Sequence, residues 1–201
     1  MSTQNIARIV SIVLGPQVWF PVIFLVLIFK TNLDSQQTSI LLPIAFFVIC
    51  IVPMLYIYFA LRFKFATSWE LLKKEERYPF MVVTLFFYLI LFFFINIFGP
   101  KLLKDISLVF LTSLVPIYAI TYFWKVSMHV ALNTFCVIVI NFLFGWSLPW
   151  LYLFIPLVAW ARLELKRHTL GQLIVGFLVT AFTTLLGLKI LGLGPHLFDI
   201  F

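Results

Sequence analysis

The sequence predicts an all-α membrane protein, a polytopic bundle of six or seven transmembrane helices. Three observations favour this fold class. Of the 201 residues, 64% are hydrophobic and only 10% are charged, and the mean hydropathy is +1.15, far from the values of soluble domains. Apolar runs of about 20 residues, enough to cross the hydrocarbon, recur along the chain. Since no repeat, linker or low-complexity tail interrupts them, we expect a single integral-membrane domain over residues 1–201.

Cutting the chain at its charged residues gives the candidate spans 6–29, 40–61, 80–98, 106–124, 126–145, 148–163 and 169–190. The first is the least regular, because Gly15-Pro16 can divide it into an interfacial turn and a short span. The fifth and sixth come from residues 126–161, which hold no Asp, Glu, Lys or Arg and are too many for one crossing. The segment 145–149, rich in turn-forming residues, is expected to separate them.

Charged residues are scarce and unevenly placed: 14 Lys and Arg stand against 7 Asp and Glu, a formal charge of +7. If the seven spans alternate, ten of the fourteen cations fall on one side, namely Arg8, Arg62, Lys64, Lys73, Lys74, Arg77, Lys125, Arg162, Lys166 and Arg167. Two explanations stay open. The positive-inside rule makes this side cytoplasmic, whereas an anion site there explains part of the excess. Nucleic-acid binding is excluded, since too little soluble surface remains to carry a basic patch.

Two histidines at predicted helix starts are candidates for chemistry. His129 follows Ser127 at the start of the fifth span, where unpaired N–H groups favour an anion, and Ser127 is equally suited to be the N-cap. His168 opens the seventh span, and Gln172, four residues later, shares its helix face. The Gln172 amide oxygen can therefore accept a hydrogen bond from one imidazole nitrogen. Arg162 is expected to face His168 across a short turn, although a plain juxtamembrane basic flank explains the same residues.

The 62–79 loop contributes further cations. Lys73, Lys74 and Arg77 alternate there with glutamates, a pattern typical of a solvated amphipathic helix. Pro79, which we expect to begin the third span, holds Arg77 close to the membrane surface. Both a solvated helix and an anion site are compatible with this segment.

Motifs of metal and serine hydrolases are absent from the sequence. There is no HExxH, no cysteine cluster, no nearby carboxylate pair and no G-x-S-x-G,. Cys50 and Cys136 lie inside apolar runs and are expected to be small core residues. We therefore expect no metal and no cofactor, and the pattern indicates phosphate chemistry with a histidine nucleophile and stabilising cations.

Three stretches resemble the signatures of the type 2 phosphatidic acid phosphatase (PAP2) superfamily. The third signature, SR-x5-H-x3-D, resembles the stretch in which Ala161-Arg162 is followed after five residues by His168 and after three more by Gln172. The second, PSGH, is similar to Val126-Ser127-Met128-His129. A loosened form of the first, K-x6-RP, is similar to Lys73-Lys74-Glu75-Glu76-Arg77-Tyr78-Pro79. The resemblance covers roughly residues 70–190 and is strongest to a divergent bacterial branch.

This resemblance implies a haloperoxidase-like helical core in a bacterial cytoplasmic (inner) membrane, and a metal-independent hydrolysis of lipid phosphates or polyprenyl diphosphates. His168 would attack phosphorus and form a phosphohistidine, while His129 would protonate the leaving oxygen and then activate water. The implied ligands of the phosphoryl oxygens are Arg77, Arg162, Ser127 and either Lys73 or Lys74. The expected partners are the lipid substrate and the surrounding membrane lipids.

Departures from the signatures support a second hypothesis. Gln172 stands where the family has aspartate, and it fixes a tautomer without offsetting imidazolium charge, so a weaker nucleophile is expected. Glu70 occupies the lysine position seven residues before Arg77, and Met128 replaces a glycine. The alternative is thus a catalytically weak or inactive relative that binds anionic lipid headgroups.

A third hypothesis is a small transporter or channel component, because polar residues inside spans can line a path. The asparagines in question are Asn96, Asn133 and Asn141. Interhelical hydrogen bonding explains them equally, and the polar groups of this chain concentrate at one interface rather than at mid-membrane.

Overall fold

A computed structural model describes residues 2–193, and every regular element in that range is a helix. The predicted all-α class is therefore confirmed. The α-helices are α1 (Thr3–Val13), α2 (Pro16–Thr31), α3 (Ser35–Phe46), α4 (Val52–Arg62), α5 (Lys74–Phe98), α6 (Lys101–Phe123), α7 (Met128–Leu143), α8 (Phe154–Glu164) and α9 (Leu170–Ile190). A π-helical turn, Phe47–Ile51, joins α3 to α4, and a 3-10 turn, Pro149–Leu153, precedes α8.

Five segments of residues 2–193 are long and apolar enough to cross a membrane, which is compatible with an integral membrane protein. They are Thr3–Thr31, Ser35–Arg62, Glu75–Phe98, Lys101–Phe123 and Leu170–Ile190. The first contains both α1 and α2, so Gly15-Pro16 divides one long segment, as the sequence suggested. The third begins before Pro79, which lies inside α5 and does not start it.

The predicted spans 126–145 and 148–163 are shorter helices than expected. Helix α7 has 16 residues and α8 has 11, whereas a crossing takes about 20. By length and composition, five segments of the described residues qualify as spans, where six or seven were predicted. The unbroken apolar run hid the 3-10 turn before α8, since no charged residue marks it.

The chain packs as two compact units, one comprising Met1–Val26 and Leu108–Phe201 and the other comprising Leu27–Ser107. The first unit is built around α7, in which every residue from Val130 to Asn141 is buried. A helix apolar and covered on all sides is a core helix. It packs most extensively against α9, and α8 contacts both α7 and α1.

Small and hydroxylated residues join α6 to α9 within the first unit. Ser113 and Thr184 are hydrogen-bonded through their hydroxyls at 3.1 Å. A Cβ at Gly187 would lie 3.2 Å from the Val109 side chain. Close approach at small residues is typical of helix pairs in membranes, where apolar burial between helices offers little driving force.

The second unit packs α3, its π-helical turn and α4 against α5. The segment after α4 folds back on this group, with Ala60, Ala66 and Leu71 buried together. Tyr56 and Phe80 meet edge to face beside them, with ring centroids 5.3 Å apart. This packing holds the 63–73 segment against the start of α5.

Candidate functional site

The turn between α8 and α9 places His168. Helix α8 ends with Lys166 in the left-handed region (φ 53°), where the Lys166 N–H donates to Leu163 O at 2.8 Å and the Arg167 N–H to Arg162 O at 3.0 Å. These are the bonds of a Schellman ending, which satisfies the last carbonyls of a helix. His168 follows at once and is 7% exposed. A turn separates Arg162 from His168, as predicted, and the Arg162 guanidinium is hydrogen-bonded to Ser11 of α1.

Gln172 caps α9 and holds His168 with the same oxygen. Thr169 is the N-cap of α9, and Gln172 completes a capping box with it,. The Gln172 Oε1 atom accepts from the Thr169 N–H at 3.1 Å and lies 3.2 Å from His168 Nδ1. Because Oε1 can only accept, Nδ1 carries the hydrogen and Nε2 of the neutral ring is unprotonated. The hydrogen bond expected from the spacing of these residues is present.

Ser127 joins the start of α7 to the first turn of α9. Its side chain is fully buried and caps α7, with Oγ 3.5 Å from the Val130 N–H. Its own N–H donates to the Gln172 carbonyl at 3.3 Å. Ser127 is therefore the N-cap of α7. Its N–H also connects it to Gln172, the residue that orients His168.

Two contacts that sequence reasoning missed hold this junction together. A Cβ at Gly176 would lie 3.1 Å from the Ser127 carbonyl, so glycine lets α9 approach that backbone. Lys125 Nζ donates to the Arg167 carbonyl at 3.2 Å and ties the residue before α7 to the turn after α8. The only sequence signal was the four-residue spacing from Gln172 to Gly176, which places both on one helix face.

Arg162 closes α8 and points to α1. Its side chain is 2% exposed, and Nη1 donates to Ser11 Oγ at 2.8 Å. Ser11 is 151 residues away in the chain and itself buried. No local pattern marked Ser11 as a partner of a site cation, so sequence reasoning did not find it.

His129 is the second residue of α7 and half-buried. Its carbonyl accepts from Asn133 Nδ2 at 2.8 Å, and the same amide donates to the Leu14 carbonyl at 2.6 Å. Asn133 thus bridges α7 to the turn before α2. Asn141 accepts at Oδ1 from the Leu148 N–H at 3.2 Å and organises the turn after α7. Asn133 is thus the interhelical partner that the sequence predicted. Asn141 instead donates to the Val137 carbonyl of its own helix, and Asn96 to the Phe92 carbonyl of its own helix.

The second unit holds the cations of the first signature. Arg77 is 8% exposed and its Nε donates to the Leu71 carbonyl at 2.7 Å. Beside it, Glu76 Oε1 accepts from the Thr67 N–H at 3.1 Å and from the Thr67 hydroxyl at 2.7 Å. Two consecutive residues of α5 therefore hold both ends of the 67–71 loop. Residues 67–73 form a loop, and Lys74–Arg77 form the first turn of α5, in which Glu76 and Arg77 are buried rather than solvated.

The remaining predicted residues are placed as follows. Lys73 is the exposed N-cap position of α5, without a side-chain capping bond. The side chain of Lys74 lies outside the described part of the chain. Among residues 2–193, no three His, Cys, Asp or Glu form a group that could hold a metal ion.

Hydrogen bonds in the first unit thus link three predicted site residues at the junction of α7 and α9, namely His168, Gln172 and Ser127. Arg162 ends α8 with its Nη1 on Ser11 of α1, and His129 lies in the first turn of α7. Arg77, Lys73 and Lys74 belong to the second unit. Comparison with family models, with curated proteins and with solved structures gave no match to this chain.

Proposed function

We propose that the chain is a membrane-embedded lipid phosphatase or diphosphatase that works without a metal, through a phosphohistidine. The observation that carries the proposal is the orientation of His168. Its Nδ1–H is directed at an amide oxygen that a backbone N–H also engages, and this leaves Nε2 as the nucleophilic nitrogen. The resemblance to the superfamily signatures adds the reaction class, and a bacterial cytoplasmic membrane as its location.

The reaction takes two steps. His168 Nε2 attacks phosphorus, the P–O bond to the lipid breaks, and His129 gives its proton to the leaving oxygen. Water, deprotonated by His129, then attacks the phosphohistidine and releases inorganic phosphate, which restores both imidazoles. The sum is hydrolysis of one phosphoester or phosphoanhydride bond, with no redox partner.

Cations and N–H groups stabilise the charge on the three equatorial phosphoryl oxygens. Arg162 and Ser127 supply a guanidinium and the start of α7 within the first unit. Ser11 already fixes the Arg162 side chain, so little conformational entropy of that side chain is lost when it binds phosphate. The fixed guanidinium helps to position the phosphoryl group for attack.

Purified protein in detergent tests the proposal. With EDTA present, we expect release of phosphate from phosphatidate, phosphatidylglycerophosphate or a long-chain polyprenyl diphosphate. His168→Ala should abolish turnover, and Arg162→Lys should reduce it at least about tenfold, since lysine loses the two-pronged guanidinium geometry. Arg8→Lys, an exposed arginine of α1, is the matched control and should retain activity. Absence of turnover with every lipid would refute the hydrolase.

A second candidate is a headgroup-binding protein with little or no turnover. It is favoured by Gln172, whose amide is neutral and is already used to cap α9. This candidate predicts saturable binding of phosphatidate vesicles by the wild type with no phosphate released. It also predicts a large gain of activity from near zero when a carboxylate replaces the Gln172 amide, as expected of a decayed enzyme.

A further inference from the structure

Large aromatic side chains are exposed in the second unit, where α4 ends. Phe63, Phe65 and Trp69 are 62%, 77% and 61% exposed. The Phe63 ring stacks on that of Phe59, with centroids 6.1 Å apart and planes 13° apart, and its centroid lies 6.4 Å from that of Phe65. Tyr58 packs edge to face on Phe59, at 5.4 Å. We call these five residues the aromatic patch.

The aromatic patch is built on a fixed backbone. Lys64 has the left-handed conformation (φ 62°), its N–H donates to Leu61 O at 3.1 Å, and the Phe65 N–H donates to Ala60 O at 2.8 Å. These are the bonds of a Schellman ending. The first turn of α5 then holds the 67–71 loop by hydrogen bonds. The rings are therefore presented outward by a folded segment of the chain.

The cations of this segment are exposed as well. Arg62 is the last residue of α4, and Lys64 follows the helix end at the position where glycine is usual,. Among the described residues, neither side chain has a hydrogen bond or an ion pair. Residues 58–69 contain no Asp or Glu. The surface therefore combines apolar rings with two positive charges that the neighbouring sequence does not offset.

The aromatic patch lies at the end of a membrane-crossing segment. Ser35–Arg62 is long and apolar enough to cross a membrane, and Glu75–Phe98 is the next such segment. Phe63, Phe65 and Trp69 lie between them. Aromatic rings next to the end of a span are typical of the membrane–water interface. Each nearby Lys or Arg is expected to raise the local concentration of anionic lipid about fivefold.

We propose that the aromatic patch lies in the headgroup region of the bilayer and that Arg62 and Lys64 bind the phosphate groups of anionic lipids there. The rings occupy the space between headgroups, and the two cations select acidic lipids over zwitterionic ones. The inference does not depend on the proposed function, because these residues belong to the second unit and include none of the candidate site residues.

Quenching of Trp69 by brominated lipids tests the proposal. The full chain is reconstituted in bilayers of phosphatidylcholine and phosphatidylglycerol, with bromine on the acyl chains of one lipid or the other, close to the headgroup. The difference between each protein and its Trp69→Phe variant isolates the Trp69 signal. We expect half-maximal quenching at a mole fraction about fivefold lower for brominated phosphatidylglycerol than for brominated phosphatidylcholine. Bromine near the methyl end of the chains should quench less.

Two double variants show whether the cations of the patch are responsible. Arg62→Gln/Lys64→Gln should bring the two half-maximal mole fractions close together. Arg8→Gln/Lys166→Gln removes the same charge from exposed positions of the first unit and should leave their difference unchanged. Because all four side chains are exposed, both variants should keep the wild-type Tm.

Equal mole fractions in the wild type, or an unchanged difference in Arg62→Gln/Lys64→Gln, would overturn the selection of anionic lipid. Stronger quenching of Trp69 by bromine near the methyl end would place the ring too deep and reject the headgroup region. Absence of quenching by either lipid would also reject the proposal and leave the aromatic patch to water or to a second copy of the chain. Release of phosphate, or its absence, has no bearing on these outcomes.

Discussion

Gln172 has two roles, because its Oε1 atom accepts hydrogen bonds both from the N–H of Thr169, the N-cap of α9, and from the His168 imidazole. A carboxamide meets both demands geometrically but leaves the histidine without a counter-charge. Aspartate, which the PAP2 signature has at this position, supplies charge on a side chain one methylene shorter. Glutamate supplies charge at the same length, and it is also the usual partner in a capping box.

We therefore predict that Gln172→Glu raises kcat. The carboxylate keeps the Nδ1 tautomer and stabilises the imidazolium-like charge of the phosphohistidine, and we expect a gain of about 10- to 100-fold. Gln37→Glu is the matched control, since Gln37 completes an equivalent capping box on α3 with Asp34 and holds no histidine there. Phosphate release under EDTA measures both variants. A loss of activity in Gln172→Glu would show that the amide is required.

Like Gln172, Glu76 has one side-chain oxygen that accepts two hydrogen bonds. Glu76→Ala removes the acceptor of the Thr67 N–H and hydroxyl, and we predict a loss of about 1–3 kcal/mol in the free energy of unfolding. Glu76→Gln retains an acceptor and should lose less. Glu75, its exposed neighbour in the same first turn, gives the control Glu75→Ala. Thermal unfolding in detergent compares them, and equal shifts for Glu75→Ala and Glu76→Ala would contradict the prediction.

At the scale of elements, the pairing of α7 with α9 determines where the site is. Helix α9 carries Gln172 to the Ser127 backbone only because Gly176 has no side chain. Gly171, one turn nearer the helix start, has ordinary room: a Cβ there would meet only the Trp124 ring, at 3.4 Å. The two glycines therefore lie in the same helix, but only Gly176 is packed closely against a neighbouring backbone.

Substitution of each glycine by alanine separates helix propensity from packing. Both variants gain up to about 1 kcal/mol of helix propensity. Gly176→Ala also pushes α9 off a backbone carbonyl, at a cost of about 1–3 kcal/mol, so its Tm should fall below that of Gly171→Ala. Phosphate release should fall in Gly176→Ala as well, because Ser127 separates from Gln172. A Tm for Gly176→Ala at or above that of Gly171→Ala would argue against close packing here.

Local patterns predicted the helices and the contacts within one or two turns. The His168 to Gln172 bond follows from helix geometry, and the N-cap role of Ser127 from its chemistry. The bond from Arg162 to Ser11 spans 151 residues, and no periodicity in the sequence encodes such a pairing. The length of α7 was missed for another reason: hydropathy measures how apolar a run is and does not show where its backbone stops being helical.

At the scale of the whole molecule, α7 and α8 form a hairpin with joined ends. Lys125 and Arg167 are hydrogen-bonded across its base, so the residues before α7 and after α8 lie on the same side. This supports the sequence prediction that the 125–129 and 162–168 segments lie on one side of the membrane. It holds whether the hairpin spans the membrane or enters it and turns back to the same side. The turn at its tip contains Gly145 and Trp146 with positive φ.

Cysteine labelling locates the tip of the hairpin. In a chain with Cys50→Ala and Cys136→Ala, we predict that Lys166→Cys reacts with a membrane-impermeant maleimide from one side only. Trp146→Cys should react slowly from both sides, because 16 residues of helix reach only about 24 Å. A permeant maleimide controls for accessibility. Rapid labelling of Trp146→Cys from the face opposite Lys166→Cys would mean a full crossing and restore the sixth and seventh spans.

The shortness of α7 also has a consequence for the lipids around it. A core about 30 Å thick exceeds the length of a helix of 16 residues. Because α7 is enclosed by its neighbours, the mismatch falls on the lipids beside the exposed residues at the hairpin tip, among them Phe144 and Trp150, where we expect the bilayer to thin. Such hydrophobic mismatch is smallest in a thin membrane. The thickness of the host bilayer, and not only the chemistry of its headgroups, thereby becomes a property to which this protein is matched.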